Sequence, residues 1–192
     1  MNLTNYAKEI KSERVRKLFE ELYGKADSVI KEQQLRYTRA VESFREFFQT
    51  DTEIKIYSAH TDHQRGIVLA GAVNLDVIAV VAFNNDGVVK IKSEGYALTE
   101  IQLHDLTPNR NDDGTASLVK GVIAKFKEKN VSVDGFDMYT TSDVISGGGI
   151  SSSAAFETLI GTVINHKYNN CESTPFEIAQ YGWFAENIYF GK

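Results

Sequence analysis

The run Ser142-Asp-Val-Ile-Ser-Gly-Gly-Gly-Ile-Ser-Ser-Ser-Ala-Ala-Phe-Glu157 joins a glycine turn to three consecutive hydroxyls and then to an apolar helix pattern. That is the anatomy of a phosphate site. Gly147, Gly148 and Gly149 can adopt φ > 0 and let backbone N–H groups converge on an anion, while Ser151, Ser152 and Ser153 place side-chain donors where a helix begins. Ala154, Ala155, Phe156, Leu159, Ile160 and Val163 recur at spacings of three and four and write the helix. Two common phosphate motifs are excluded: no Gly-x-x-x-x-Gly-Lys-Ser/Thr occurs, and Gly147-x-Gly149 lacks the third glycine of a dinucleotide fingerprint. A flexible linker has the same glycine and serine content. Linkers do not usually run into an apolar helix without a polar spacer, so the loop is read as held at both ends.

The elements that must hold it are legible on either side. Residues 4–49 read as two helices, with Val15, Leu18, Phe19 and Leu22 as the apolar stripe of the first, Gly24 as its end, and Val41, Phe44, Phe47 and Phe48 in the second. From Glu53 the period becomes that of strands. Ile54 and Ile56 mark a first strand, and Ile67 to Phe83 a long apolar one suited to burial on both faces. Asn84-Asn-Asp-Gly87 is a turn signal before Val88 to Lys92, so a hairpin is expected there. Ile101 to Leu103 adds another strand, Pro108 to Gly114 is a polar loop, Thr115 to Lys129 a helix, and Val131 to Thr141 a strand that delivers the chain to the glycine run. Thr174-Pro-Phe-Glu177 is a capping box with proline in the first turn, opening a helix that runs to about Tyr189.

Composition bounds the function classes. With 192 residues, 42% hydrophobic and 24% charged, the chain suits one well-buried core and lies outside the range of disordered segments. A net charge of -5 argues against a nucleic-acid partner, since backbone phosphates demand a basic face. The densest basic patch, Lys11 to Arg16, reads as a solvated helix face. Cys171 is the one cysteine, so no intrachain disulfide can form; a reducing compartment and a partly buried thiol without chemistry are expected. His63, His104 and His166 lack zinc-ligand spacing. The polar first ten residues carry no secretory signal. The longest apolar run, Val77 to Phe83, falls far short of the ~20 residues that span a bilayer. The expectation is a soluble, cytoplasmic protein with no membrane partner.

Gly147-Gly-Gly-Ile-Ser-Ser-Ser-Ala-Ala155 resembles the second signature of the GHMP-kinase superfamily, and the match to galactokinase is closer than to its other members. His60-Thr-Asp-His-Gln64, Val68-Leu-Ala70 and Val73-Asn-Leu-Asp76 look like the galactose-contacting signature and the strand after it. Lys92-Ser-Glu-Gly-Tyr96, Phe136 to Asp143 and Ala185-Glu-Asn-Ile-Tyr-Phe-Gly-Lys192 read likewise. The resemblance implies a two-layer α+β N-terminal domain over 53–192 preceded by a helical extension over 1–52. It implies Mg²⁺ and ATP as cofactors, with the ATP phosphates on Gly147, Gly148, Gly149, Ile150, Ser151, Ser152 and Ser153, and Ser153 with Glu186 as the metal pair. Galactose would meet His60, Thr61 and Asp62, a carboxylate and an imidazole being apt partners for sugar hydroxyls. The activity implied is transfer of the γ-phosphoryl of ATP to galactose.

Two departures qualify this. After Ile54-Lys-Ile-Tyr-Ser-Ala59, relatives continue with a Pro-Gly-Arg segment before reaching His-Thr-Asp, whereas this chain passes from Ala59 directly to His60. The arginine beside the transferred phosphoryl is thereby missing. The Pro-x-Gly-x-x-Asp-Gln segment and the C-terminal domain that follow Gly191-Lys192 in relatives are also absent from this sequence, and with them the presumed base. No catalytic residue of the family is therefore assigned, and weak or no activity of the chain alone is expected. The alternatives are a non-catalytic module that binds ATP and sugar, or another sugar kinase of the same superfamily.

Overall fold

The computed structural model describes residues 3–59, 75–109, 111–144 and 152–191. Three helices open the chain, not two: α1 (Leu3–Ile10), α2 (Glu13–Tyr23) and α3 (Asp27–Phe48). The extra break lies at Ser12, whose hydroxyl accepts from the Val15 N–H and so starts a new helix just after α1 ends. Gly24 closes α2 with φ of 97°, as its position in the sequence suggested. Phe19, Ile30 and Phe44 are sealed from solvent, but Leu18, Leu22 and Phe47 remain in contact with it. No helix among the described residues is long and apolar enough to cross a membrane.

Five strands follow: β1 (Ile54–Ala59), β2 (Val77–Phe83), β3 (Val88–Ser93), β4 (Leu98–Gln102) and β5 (Phe136–Ser142). They form one mixed sheet in the order β1-β2-β5-β3-β4. The expected hairpin between β2 and β3 does not form. β5 lies between them, antiparallel to β2 and parallel to β3. The turn at Asn84 to Gly87 instead spreads over the entry of β5, where Asn84 N–H donates to Gly135 O and Gly87 N–H to Asp134 Oδ1. Glycine at 135 permits this, because a Cβ there would lie 2.2 Å from Asn84 Oδ1 and 2.7 Å from Val88 O. β5 starts at Phe136, five residues later than its sequence pattern. The apolar run read from Ile67 becomes a strand from Val77, and its part at 67–74 lies outside the described residues.

Strand alternation sorts side chains to two cores. Val77, Ala79, Val81, Phe136 and Met138 face α4 (Gly114–Glu128), α5 (Ser152–Tyr168) and α6 (Pro175–Phe184). Ile78, Val80, Ala82 and Tyr139 face α1, α2 and α3. The result is a two-layer α+β domain whose second sheet face is covered by the N-terminal helices. β2 is buried on both faces, which is why its sequence is an unbroken apolar run. The capping box at Thr174 and Glu177 forms as read. The α-helix it opens stops at Phe184, and Ala185–Phe190 is a π-helical turn. Cys171 is exposed rather than partly buried, on a tight turn with φ of 61°.

Candidate functional site

A cleft of about 480 Å³ opens where the ends of β2, β3 and β5 meet the first turns of α4 and α5. Its walls include Val77, Ser142, Val144, Thr115, Ser153 and Phe190. Two helix N-termini thus end at one cavity. Such ends carry about half a positive charge each and orphan N–H groups. At α4 the Asp113 carboxylate already caps the end, accepting from Ala116 N–H at 2.6 Å and from Thr99 Oγ1 at 3.0 Å. α5 has no acidic residue in its first turn.

Ser153, in that first turn, donates from Oγ to Glu186 Oε1 at 2.5 Å. The two lie 33 positions apart in sequence and are brought together by packing. On α5, Glu157 stands one turn beyond Ser153 and presses on Gly182 of α6, one turn before Glu186. A Cβ at 182 would sit 2.7 Å from Glu157 Oε2. On the other flank α4 offers Gly114 and Gly121, seven residues apart and so on one helix face. A Cβ at Gly114 would meet Phe190 at 2.9 Å, and one at Gly121 would meet the Ala185 backbone at 2.6 Å. The π-helical turn is gripped between these contacts. Its closing bond, Gly191 N–H to Glu186 O at 3.0 Å, shows the wider i to i−5 step. The widened turn sets the direction of Glu186, and periodicity read as a continuing α-helix missed it.

Of the residues singled out in the sequence, Ser152 and Ser153 line the cleft and Glu186 meets Ser153. His60, Thr61, Asp62, Gly147, Gly148, Gly149, Ile150 and Ser151 lie outside the described residues.

A buried polar network that the sequence did not reveal stands behind the cleft. Arg36 of α3 donates from Nη1 to Asp76 Oδ1 at 2.5 Å and from Nη2 to Asp76 O at 2.9 Å, and Nη1 lies 2.8 Å from Asp143 Oδ2. Tyr23 Oη donates to Asp76 Oδ2 at 2.5 Å and shares a hydrogen bond with Tyr37. Asp76 is fully buried. Burial, then the neighbouring Tyr37 and Asp76, push the Tyr23 phenol far above its ordinary range. Burial also raises the Asp143 carboxyl, with the Arg36 guanidinium pulling it back.

Residues 117–192 match the family model described as GHMP kinases N terminal domain. The structure is similar to that of Lactococcus lactis galactokinase complexed with galactose, with a TM-score of 0.70 at 26% identity over 81% of this chain and 43% of that one. Residues 117–192 therefore carry the GHMP-kinase N-terminal signature, on a fold similar to that galactokinase's. The galactokinase of Bacillus subtilis is 32% identical over 149 residues, 76% of this chain and 38% of the relative. The chain thus spans well under half the length of the galactokinases it matches. Methanococcus jannaschii mevalonate kinase, at 18% identity and a TM-score of 0.50 over 60% of this chain and 38% of that one, shares the fold.

Within this matched region the Ser153 hydroxyl, at the rim of the cleft, and the Glu186 carboxylate it meets are hard oxygen donors, the chemistry a small divalent cation demands. Neighbouring ligands of an octahedral ion with ~2.1 Å bonds stand roughly 3 Å apart, so the pair fits after opening by about 0.5 Å. Among the described residues no three His, Cys, Asp or Glu side chains cluster as metal ligands.

Proposed function

We propose that this chain is the nucleotide- and sugar-binding part of a galactokinase-type phosphotransferase, acting on Mg·ATP and galactose to form galactose 1-phosphate. The observation that carries the reading is the meeting of Ser153 and Glu186 at the start of α5, on the rim of a cleft in a GHMP-kinase fold. In this reading the backbone of Gly147 to Ser153 and the positive end of α5 receive the phosphates. Ser153 and Glu186 hold Mg²⁺, which when bound neutralises phosphate charge. His60, Thr61 and Asp62 hold the sugar and orient its anomeric hydroxyl.

β1 pairs through Ala59 with Val77, so the direct step from Ala59 to His60 leaves the strand intact. It leaves no arginine at that junction. An arginine at a transferring phosphoryl is worth on the order of 10³ to 10⁵ in other phosphoryl-transfer classes, so slow turnover is expected. The same junction favours a second reading, a module that binds both ligands without chemistry.

The test is galactose 1-phosphate formation by the purified chain with Mg·ATP, beside calorimetry with each ligand. Binding of Mg·ATP that Ser153→Ala and Glu186→Gln each weaken, with measurable galactose 1-phosphate, supports the kinase. The same binding without product supports the module. Absence of binding to both ATP and galactose sinks both.

A further inference from the structure

We propose that Arg36, on the N-terminal helix α3, is a positioning residue for the nucleotide cleft on the opposite side of the sheet. The inference rests on the reading of that cleft as the ATP site. Three of Arg36's partners are Asp76, Thr141 O and Asp143, at the ends of β2 and β5. Successive residues of a strand point to opposite faces. Ile78, Val80 and Tyr139 accordingly face the N-terminal helices, whereas Val77, Ala79 and Met138 face α4, α5 and α6. The neighbours of Arg36's partners, Val77, Ser142 and Val144, wall the cleft, and so does Thr141, whose carbonyl Arg36 holds. One guanidinium therefore fixes, from behind, the backbone from which the cleft wall projects.

The two strand ends are also tied directly, Asp143 N–H donating to Asp76 O at 3.0 Å. Arg36 closes this pair into a rigid corner, since a planar fork holds two carboxylates and two carbonyls in one geometry and a lysine cannot. Ser142 then fixes Val144 within the wall, its Oγ donating to Val144 O and accepting from Val144 N–H. A substructure confined to stabilising the helical extension has no need of Asp143, which is partly exposed and lies at the exit of β5. The arm that reaches it joins the extension to the cleft.

The variants are chosen to keep the fold. Arg36→Ala would strand the buried Asp76 charge and is expected to impair folding. Arg36→Lys keeps a positive charge by Asp76, and Asp143→Asn removes the charge from one arm alone, leaving at most a neutral hydrogen bond. Melting temperature and Mg·ATP affinity are measured for the wild type, both single variants and the double variant. The expected result is a roughly tenfold loss of affinity in each single variant, the size of effect seen when partners behind a ligand-binding group are removed. Asp143→Asn should melt near the wild type, and the double variant should bind no worse than the weaker single one. Unchanged affinity in Asp143→Asn and Arg36→Lys overturns the proposal, whatever the melting temperatures. A wild-type chain that does not bind Mg·ATP overturns the nucleotide reading and this inference with it.

Discussion

Replacing Gly121 by alanine tests how the site is assembled. The added Cβ would lie 2.6 Å from both Cα and Cβ of Ala185 and 3.1 Å from Tyr189 Cδ2. Carbon atoms settle near 3.5–4.0 Å, so α4 and the π-helical turn must part by about 1 Å. The obstacle includes backbone, which cannot rotate aside as a side chain can. Helix propensity acts the other way, favouring alanine over glycine in a helix interior by up to about 1 kcal/mol. Overpacking costs about 1–3 kcal/mol. The packing term wins, and the net loss is about 1–2 kcal/mol. For a chain of this size that lowers the melting temperature by roughly 2–8 °C. Glu186 follows Ala185 directly, so the same displacement draws its carboxylate away from Ser153, and Mg·ATP affinity should fall with stability. Thermal melting and calorimetry read the two effects. A variant that melts at or above the wild-type temperature and binds Mg·ATP equally well would refute the reasoning, showing that Gly121 does not set the place of Glu186.

Gly135→Ala should lower stability by about 1–3 kcal/mol, because Val88 O is a backbone obstacle 2.7 Å from the new Cβ. Denaturant unfolding checks this, and an unchanged midpoint would mean that the β3–β5 junction opens without cost. Glu177 is held at about 2 against an ordinary 4.5, first by the hydrogen bond from Lys129 and then by the Thr174 backbone and hydroxyl. Its folded value lies below its unfolded one. The ionised carboxylate therefore supports the fold above about pH 4.5, and that support is lost as pH falls toward 2. The difference in unfolding midpoint between wild type and Glu177→Gln should be constant above about pH 5 and vanish near pH 2. A difference independent of pH would remove the ionised capping box from the account.

Local chemistry made part of this protein readable from its residues. The spacing of Ala154, Ala155, Leu159 and Ile160 wrote α5, Thr174 and Glu177 wrote the start of α6, and the unbroken Val77 to Phe83 run wrote a strand covered on both faces. These signals act between residues a few positions apart, so the chain carries them in full. The extra helix break at Ser12 was equally local, and its N-cap signal stood in the sequence.

Other features were decided only by folding. Arg36 and Asp76 are 40 residues apart, and nothing near either marks them as partners. They meet because apolar stripes on α2 and α3 bury against one sheet face and carry Arg36 to the ends of β2 and β5. The turn at Asn84 to Gly87 read as a hairpin because a turn signal shows that a chain reverses, not which strand lies beside it. β5, which begins 49 residues after Gly87, takes the place between β2 and β3, where Phe136 and Met138 are fully buried. Glu186 was singled out from resemblance, yet its direction depends on a π-helical turn. That turn forms where Gly114, Gly121 and Gly182 let three helices approach more closely than any side chain would allow. Periodicity records which face of an element is apolar. Packing alone decides what meets that face, and at what distance.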